Sequence, residues 1–173
     1  MPQLIKHRAV VDDSWTLVRD ADASPLTAAV IVPFATWKAR HADLAARSDV
    51  GVWLGPAEDP ADLAADVARL PLIAVDFPQF TDGRGYSIGR LLRERYQFAG
   101  ELRAIGDIQR DQLYSLAQCG FDAFAIRDGK DAHAALAGLT TFADGYQSTF
   151  ARTPWFRRRA GSGARHGVQF PVE

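Results

Sequence analysis

Five short apolar runs, each trailed by a stretch with helical spacing, set the frame into which the rest of this chain must fit. The runs cover 30–34 ("VIVPF"), 50–54 ("VGVWL"), 72–77 ("LIAVDF"), 102–106 ("LRAIG") and 123–127 ("AFAIR"). Short apolar runs of this length fit strands. The intervening stretches carry apolar residues three and four apart, as an amphipathic helix requires. They are marked by Trp37, Leu44 and Ala45 with Ser48, then by Leu63, Val67 and Leu70, and next by Ile88, Leu91 and Leu92. Leu113, Leu116 and Ala117 mark the fourth, and the stripe from Ala132 through Ala135, Leu136, Leu139, Phe142, Ala143 and Tyr146 marks the last.

Turn chemistry supports the same division. Pro60 suits the first turn of the second helix, where its missing N–H costs nothing. Gly100 and Gly120 stand where helices should stop. Strands alternating with helices imply right-handed crossovers and a mainly parallel sheet. About five βα units are too few to close an eight-stranded barrel from one chain. The expected fold is therefore α/β, an open doubly wound sheet or a half-barrel-like one. A short β-rich preface, a hairpin or an edge strand, comes before it in "QLIKHRAVVDDSWTLV", and "DADASP" reads as a loop.

At 173 residues, 47% apolar and 24% charged, the chain can build one ordinary core. The expected division is a single α/β domain over 1–150 and a basic, aromatic tail over 151–173. That tail holds five arginines against Glu173, a net +4 in a chain whose total is −1. Its run "FARTPWFRRR" fits a segment folded over the protein's own sheet edge or a protein partner better than nucleic acid. The short segment "RRRAGSGARHG" is expected to be mobile. The lone Cys119 excludes an intrachain disulfide and a cysteine cage for zinc or iron–sulfur from this chain alone. It ends a helix with no basic neighbour, so it reads as a packing residue. His7, His41, His133 and His166 show no metal-ligand spacing, and His41 reads as a core-edge residue on the stripe of Trp37 and Leu44. The start "MPQLIKHRAVVDDSW" lacks a signal-peptide core, and no run approaches the ~20 apolar residues that span a bilayer. The expectation is a cytoplasmic protein with no membrane partner.

The stretch "FPQFTDGRGYSIGRLLRERY" is where chemistry concentrates. It leaves the third strand and enters a helix, the carboxyl-edge position at which parallel α/β folds bind ligands. Gly83 and Gly85 permit close backbone approach, Ser87 suits the N-cap of a helix beginning near Ile88, and helix-start N–H groups favour an anion. Arg84 and Arg90, with Asp82 and Tyr86 nearby, would complete an oxyanion cradle. The competing reading is a glycine-rich turn in front of a helix whose Arg90, Arg93 and Glu94 only decorate a solvated face. Neither a Walker loop nor GxGxxG is present. The next strand ends add Asp107, Arg110 and Asp111, then Arg127 and Asp128, which would either converge on one cleft or pair among themselves. Asp76 and Asp107 are candidate general acid/base residues, and Asp76, interrupting an apolar run, also reads as the partner of an arginine. No cofactor or metal of its own is expected.

These strings carry a resemblance. From about 30 to 146 the chain resembles the bacterial domain of unknown function 934 family, on "FPQFTDGRGYS", "GDIQRDQL" and the closing "PWFRRR". The resemblance implies a setting rather than a mechanism. Such proteins are encoded beside assimilatory sulfite reductase and phosphoadenylyl-sulfate reductase genes and carry the label of sulfite-reduction oxidoreductases, with no catalytic residue set attached. Three expectations follow. The first is an accessory protein of sulfate and sulfite assimilation that binds an oxyanion or docks on either reductase. The others are a small enzyme using Asp/Arg acid–base chemistry and a non-catalytic structural subunit.

Overall fold

In the computed structural model the described residues are 3–20, 29–126 and 129–140. All five apolar runs form strands: β4 (Val30–Pro33), β5 (Val50–Leu54), β6 (Leu72–Phe77), β7 (Glu101–Gly106) and β8 (Ala123–Ala125). The preface contributes β1 (Gln3–Lys6), β2 (Ala9–Asp12) and β3 (Thr16–Leu17). All eight join one sheet in the order β2-β1-β8-β7-β6-β5-β4-β3. The sheet is therefore larger than about five βα units. The preface is part of it, β1–β2 as an antiparallel hairpin on β8 and β3 as a parallel strand on β4.

The order of β4 to β8 in space is their order in the chain, and every neighbouring pair among them is parallel. Right-handed crossovers between successive neighbours all step the same way and lay their connecting segments on one face. A doubly wound sheet needs a reversal of order, which is absent here, so the half-barrel alternative is the observed one. Alternate strand residues divide accordingly. Val32, Val52, Ile73, Val75, Leu102 and Phe124 pack in the cluster shared with the helices. Ile31, Leu72, Ala74 and Ile105 face the other way, against Trp15, Leu17 and Trp53.

Chain length fixes the curl. Asp12 ends β2 at one edge and Thr16 opens β3 at the other. Four residues of chain reach at most about 14 Å. A flat eight-stranded sheet would hold its edge strands about 34 Å apart, at about 4.8 Å per spacing. The sheet must bend, and the connection crosses its concave side. Ion pairs hold it there: Arg103 on β7 donates to Asp13 Oδ2 (2.8 Å) and to Glu101 Oε1 (2.7 Å), and Lys6 joins Glu101 at 2.6 Å. Arg103 is only 2% exposed.

The helical layer is more broken than its periodicity predicts. The first stretch splits into α1 (Phe34–Ala39) and α2 (His41–Leu44). Where Leu63, Val67 and Leu70 predict a helix, the chain makes a 3-10 turn at Pro60–Leu63 followed by further turns, yet buries all three residues. Then come α3 (Arg84–Glu94), α4 (Leu113–Gln118) and α5 (Ala132–Leu136), the last continued by a 3-10 turn over Ala137–Thr140. The remaining stripe residues Phe142, Ala143 and Tyr146, the tail 151–173 and most of "DADASP" lie outside the described residues. No described helix is long and apolar enough to cross a membrane.

Candidate functional site

The carboxyl edge of the parallel strands is built outward from β6. Phe77 ends that strand and points into the helix-side core, where α3 lies across it. The helix can approach only because Gly85 and Gly89, one turn apart, face Phe77 and Phe121; a Cβ on either glycine would overlap those rings. Gly85 and Gly89 of "DGRGYSIG" thus serve helix-to-sheet packing. Helix α3 begins at Arg84 with Gly83 at its N-cap, so Ser87 is an exposed residue inside the helix rather than its cap.

Asp82 takes the capping part. Its carboxylate accepts from the Arg84 backbone N–H (3.1 Å) and from the Arg84 side chain at Nε (3.0 Å) and Nη2 (2.7 Å). The side-chain bond to Arg84 holds the Asp82 carboxyl below the usual carboxylate range. Arg90 donates to Glu94 Oε1 (2.9 Å) along the helix. Six residues of helix separate Arg84 from Arg90, about 9 Å of rise and well over a full turn. The two guanidinium groups are therefore bound to carboxylates of their own and do not form one cradle.

Arg93, expected on a solvated face, is buried. Its guanidinium donates to the carbonyls of Gly120 (2.9 Å), Phe98 and Gly100 (2.9 Å) and to Asp122 Oδ2 (2.8 Å). Asp122 Oδ1 also accepts the Leu102 N–H (2.9 Å). Burial pulls Arg93 down and pushes Asp122 up. The network ties α3 to β7 and to the turn before β8, at the opposite end of the strands from the candidate edge.

The aspartates separate as well. Asp76, 8% exposed, sits on the concave face and accepts from Arg19 Nη1 at 2.7 Å. Arg19 also lies over the Trp53 ring, 5.4 Å from its centroid, while Trp53 Nε1–H donates to the Val18 carbonyl (2.9 Å). Asp107 follows β7 and donates its backbone N–H to the Phe77 carbonyl at 2.7 Å. Gly106 before it has φ +98°, and a Cβ there would overlap the Phe77 carbonyl.

Gln112, absent from the expected site, organises the helix-side half of this edge. It is buried; its Oε1 accepts the Gln109 N–H (3.0 Å) and its Nε2 donates to the Phe80 carbonyl (3.2 Å). It also shares a hydrogen bond with Tyr86, whose phenol burial pushes up and that bond partly offsets. Tyr86 in turn meets Phe77 edge-on at 5.4 Å. No spacing rule singles out Gln112, Arg19 or Trp53; the string "GDIQRDQL" is the nearest signal for the first.

Arg110 goes elsewhere again. It lines a cavity of about 650 Å³ between the start of α4 and α5, beyond the end of β8. That volume lies within the ~300–1,000 Å³ of ordinary small-molecule sites. Asp111, Tyr114, Ile126, Lys130 and Ala134 share the wall. Asp131, also at the wall, caps α5 by accepting the His133 N–H (2.8 Å). Gly138 lets the following 3-10 turn press on the Arg110 carbonyl, since a Cβ there would overlap it. Arg127 and Asp128 lie outside the described residues.

Cys119 closes α4, half-buried, with its thiol pushed up by burial. His41 lies at the core edge, its Nε2 3.0 Å from Asp66 Oδ2 and its ring edge-on to Trp37. Among the described residues no three His, Cys, Asp or Glu side chains stand close enough together to hold a metal ion. The family model described as bacterial protein of unknown function (DUF934) matches residues 51–156. No curated protein and no solved structure matches the chain.

Proposed function

The chain belongs to the DUF934 family of bacterial proteins of unknown function, and from that premise we propose an accessory protein of assimilatory sulfate and sulfite reduction. It binds a sulfur oxyanion, free or carried on a nucleotide, in the cavity between α4 and α5. The pathway comes from the gene setting implied by the resemblance. The observation that carries the site is the cavity itself, open at the carboxyl edge with Arg110 and Lys130 in its wall. A guanidinium supplies paired donors for two oxygens of one ion, and an ammonium adds a compact second charge. Tyr114 offers an aromatic face to any organic body the ion is attached to. Asp111 and Asp131 share the wall, and the cap on the His133 N–H holds the Asp131 carboxylate at the start of α5.

Titration calorimetry with sulfite, sulfate and adenosine phosphosulfate tests this on the wild type, Arg110→Ala and Lys130→Ala. At least one anion should bind, and each substitution should weaken it tenfold or more, about 1.4 kcal/mol, with Tm unchanged. Absence of binding heat for all three anions, or affinities indifferent to both substitutions, would overturn the assignment.

A docking role on the reductase is favoured by a separate observation. Phe80, 41% exposed on the β6–α3 loop, and Leu91, 40% exposed on α3, are large apolar side chains in solvent, close in sequence to Arg84 and Arg90. Exposed aromatic residues and arginine are enriched at protein interfaces. Phe80→Ser with Leu91→Ser should abolish co-purification with sulfite reductase; retained association would place the contact elsewhere. Acid–base catalysis at Asp76 has weaker support, since that carboxylate is held by Arg19.

A further inference from the structure

We propose that β2 pairs edge to edge with β2 of a second copy of this chain, about a two-fold axis through Val10. This stands independently of the anion cavity.

Strand β2 is the outermost strand of the sheet. Among the described residues no strand pairs with its outer side; Ala9, Val11 and Asp12 are exposed and Val10 half-buried, and Val11, at 38%, is a large apolar side chain left in water. Edges are kept from further pairing by a lysine, a proline, a bulge, other charges or shortness. The four-residue strand "AVVD" has no lysine, proline or bulge, its one charge is Asp12, and its register with β1 runs unbroken from Gln3↔Asp12 to Lys6↔Ala9.

The hairpin turn decides which backbone groups face outward. His7 and Arg8 both have positive φ, 49° and 62°, the two-residue type I′ geometry. In such a hairpin the closing pair, Lys6 and Ala9, exchange hydrogen bonds with each other. The N–H and C=O groups of Ala9 and Val11 are thereby spent on β1, and those of Val10 and Asp12 point away from the sheet. In a new antiparallel ladder outward-pointing residues must therefore stand opposite outward-pointing ones, as its hydrogen-bonded pairs, and inward-pointing ones opposite inward-pointing ones.

Charge then selects among the registers this leaves. With Asp12 opposite itself, two carboxylates meet, which is unfavourable. With Val11 on the axis, Asp12 faces Val10 and no charge is matched. With Val10 on the axis, Ala9 stands opposite Val11 and Arg8 opposite Asp12, and the two-fold repeats both pairs. Among the described residues neither Arg8 nor Asp12 makes an ion pair within its own chain. The segment Arg8–Asp12 is therefore self-complementary, basic at one end, acidic at the other and apolar between, as an isologous interface demands. Four residues per strand make a small contact, so the dimer is concentration-dependent.

Sedimentation equilibrium on the full chain tests this with Asp12→Arg, Arg8→Asp and the exchange Arg8→Asp/Asp12→Arg. The wild type should show a monomer–dimer equilibrium. Each single change places like charges opposite and should raise the dissociation constant tenfold or more; the exchange should bring it back to near the wild-type value. Circular dichroism confirms that each variant is folded. Amide exchange supplies a second measurement: the Val10 and Asp12 N–H groups should gain protection with rising wild-type concentration, and those of Ala9 and Val11 should not change. A wild type that stays monomeric up to millimolar concentration overturns the proposal. So does a dimer that all three variants form equally well, or one in which the exchanged protein behaves like the singles.

Discussion

A methyl group is enough to test how α3 meets the sheet. Gly85→Ala and Gly89→Ala would each drive a Cβ into an aromatic ring, Phe77 for the first and Phe121 for the second. Overpacking of this kind costs about 1–3 kcal/mol, while alanine returns about 1 kcal/mol of helix propensity. A net loss of up to about 2 kcal/mol per site should appear in urea unfolding. Gly83→Ala, with no atom within 4 Å of its added Cβ, should stay within about 0.5 kcal/mol of wild type. If all three glycines behaved alike, close packing would not be the reason for Gly85 and Gly89. Asp66 supplies a pH test. Burial works to raise its pKa, but hydrogen bonds from His41 and Trp37, helped by the charges of His41 and Arg69, leave it below the usual carboxylate range. A carboxyl whose pKa falls on folding adds stability above its unfolded pKa and loses it as pH drops through the folded value. The stability gap between wild type and Asp66→Asn should therefore be full at neutral pH and shrink as acid is added below the ordinary carboxylate pKa. A gap that is constant down to the lowest pH measured would contradict it.

At the scale of elements, Arg93 acts as a pin between α3, β7 and the turn before β8. Arg93→Met leaves Asp122 and three carbonyls without their donor. Breaking a buried pair costs about 3–5 kcal/mol. The lower end applies here, because the Asp122 side chain is 35% exposed. Arg93→Lys should rescue little, since one ammonium cannot reach four acceptors spread around a planar fork. Near-complete rescue by lysine in thermal unfolding would show that charge alone matters. The five central strands were readable because continuous apolar runs have few other uses. The segment around Leu63, Val67 and Leu70 was not, because periodicity records which side chains are buried and not which carbonyl each N–H meets. With only 17 residues between β5 and β6, completing an α-helix gains little when a 3-10 turn and the turns after it bury the same three side chains. Arg93 was misleading for a physical reason. In sequence a charged residue among apolar ones reads as solvent-facing, and only the fold supplies the acceptors that let it stay inside. The scattering of the expected cleft has the same origin. Asp82 and Arg84 satisfy each other locally, whereas the partner of Asp76 comes from 57 residues away, beyond the reach of any local pattern.

For the molecule as a whole, the determining feature is that the chain returns across its own concave face after only one hairpin. Two ion pairs fix that return at either end: Asp13 with Arg103, then Arg19 with Asp76. Between them Trp15 and Leu17 fill the hollow against Ile31, Leu72 and Ile105. The first pair is the more deeply placed, with side chains 2% and 10% exposed. Removing one member of a buried pair leaves the other charged and poorly solvated, so Arg103→Met should cost about 3–5 kcal/mol, and Asp13→Ala less, because Arg103 keeps Glu101. The doubly substituted protein should lose less than the two added together, because neither orphan then remains. A double-mutant cycle by urea unfolding should give a coupling of about 1–3 kcal/mol. Glu101 limits it, since this residue contacts Arg103 and Lys6 and keeps the lysine when the arginine is gone. Effects that add within about 0.5 kcal/mol would mean that Asp13 and Arg103 do not hold the crossing segment, and the curl would then rest on Trp15, Leu17 and the Arg19–Asp76 pair.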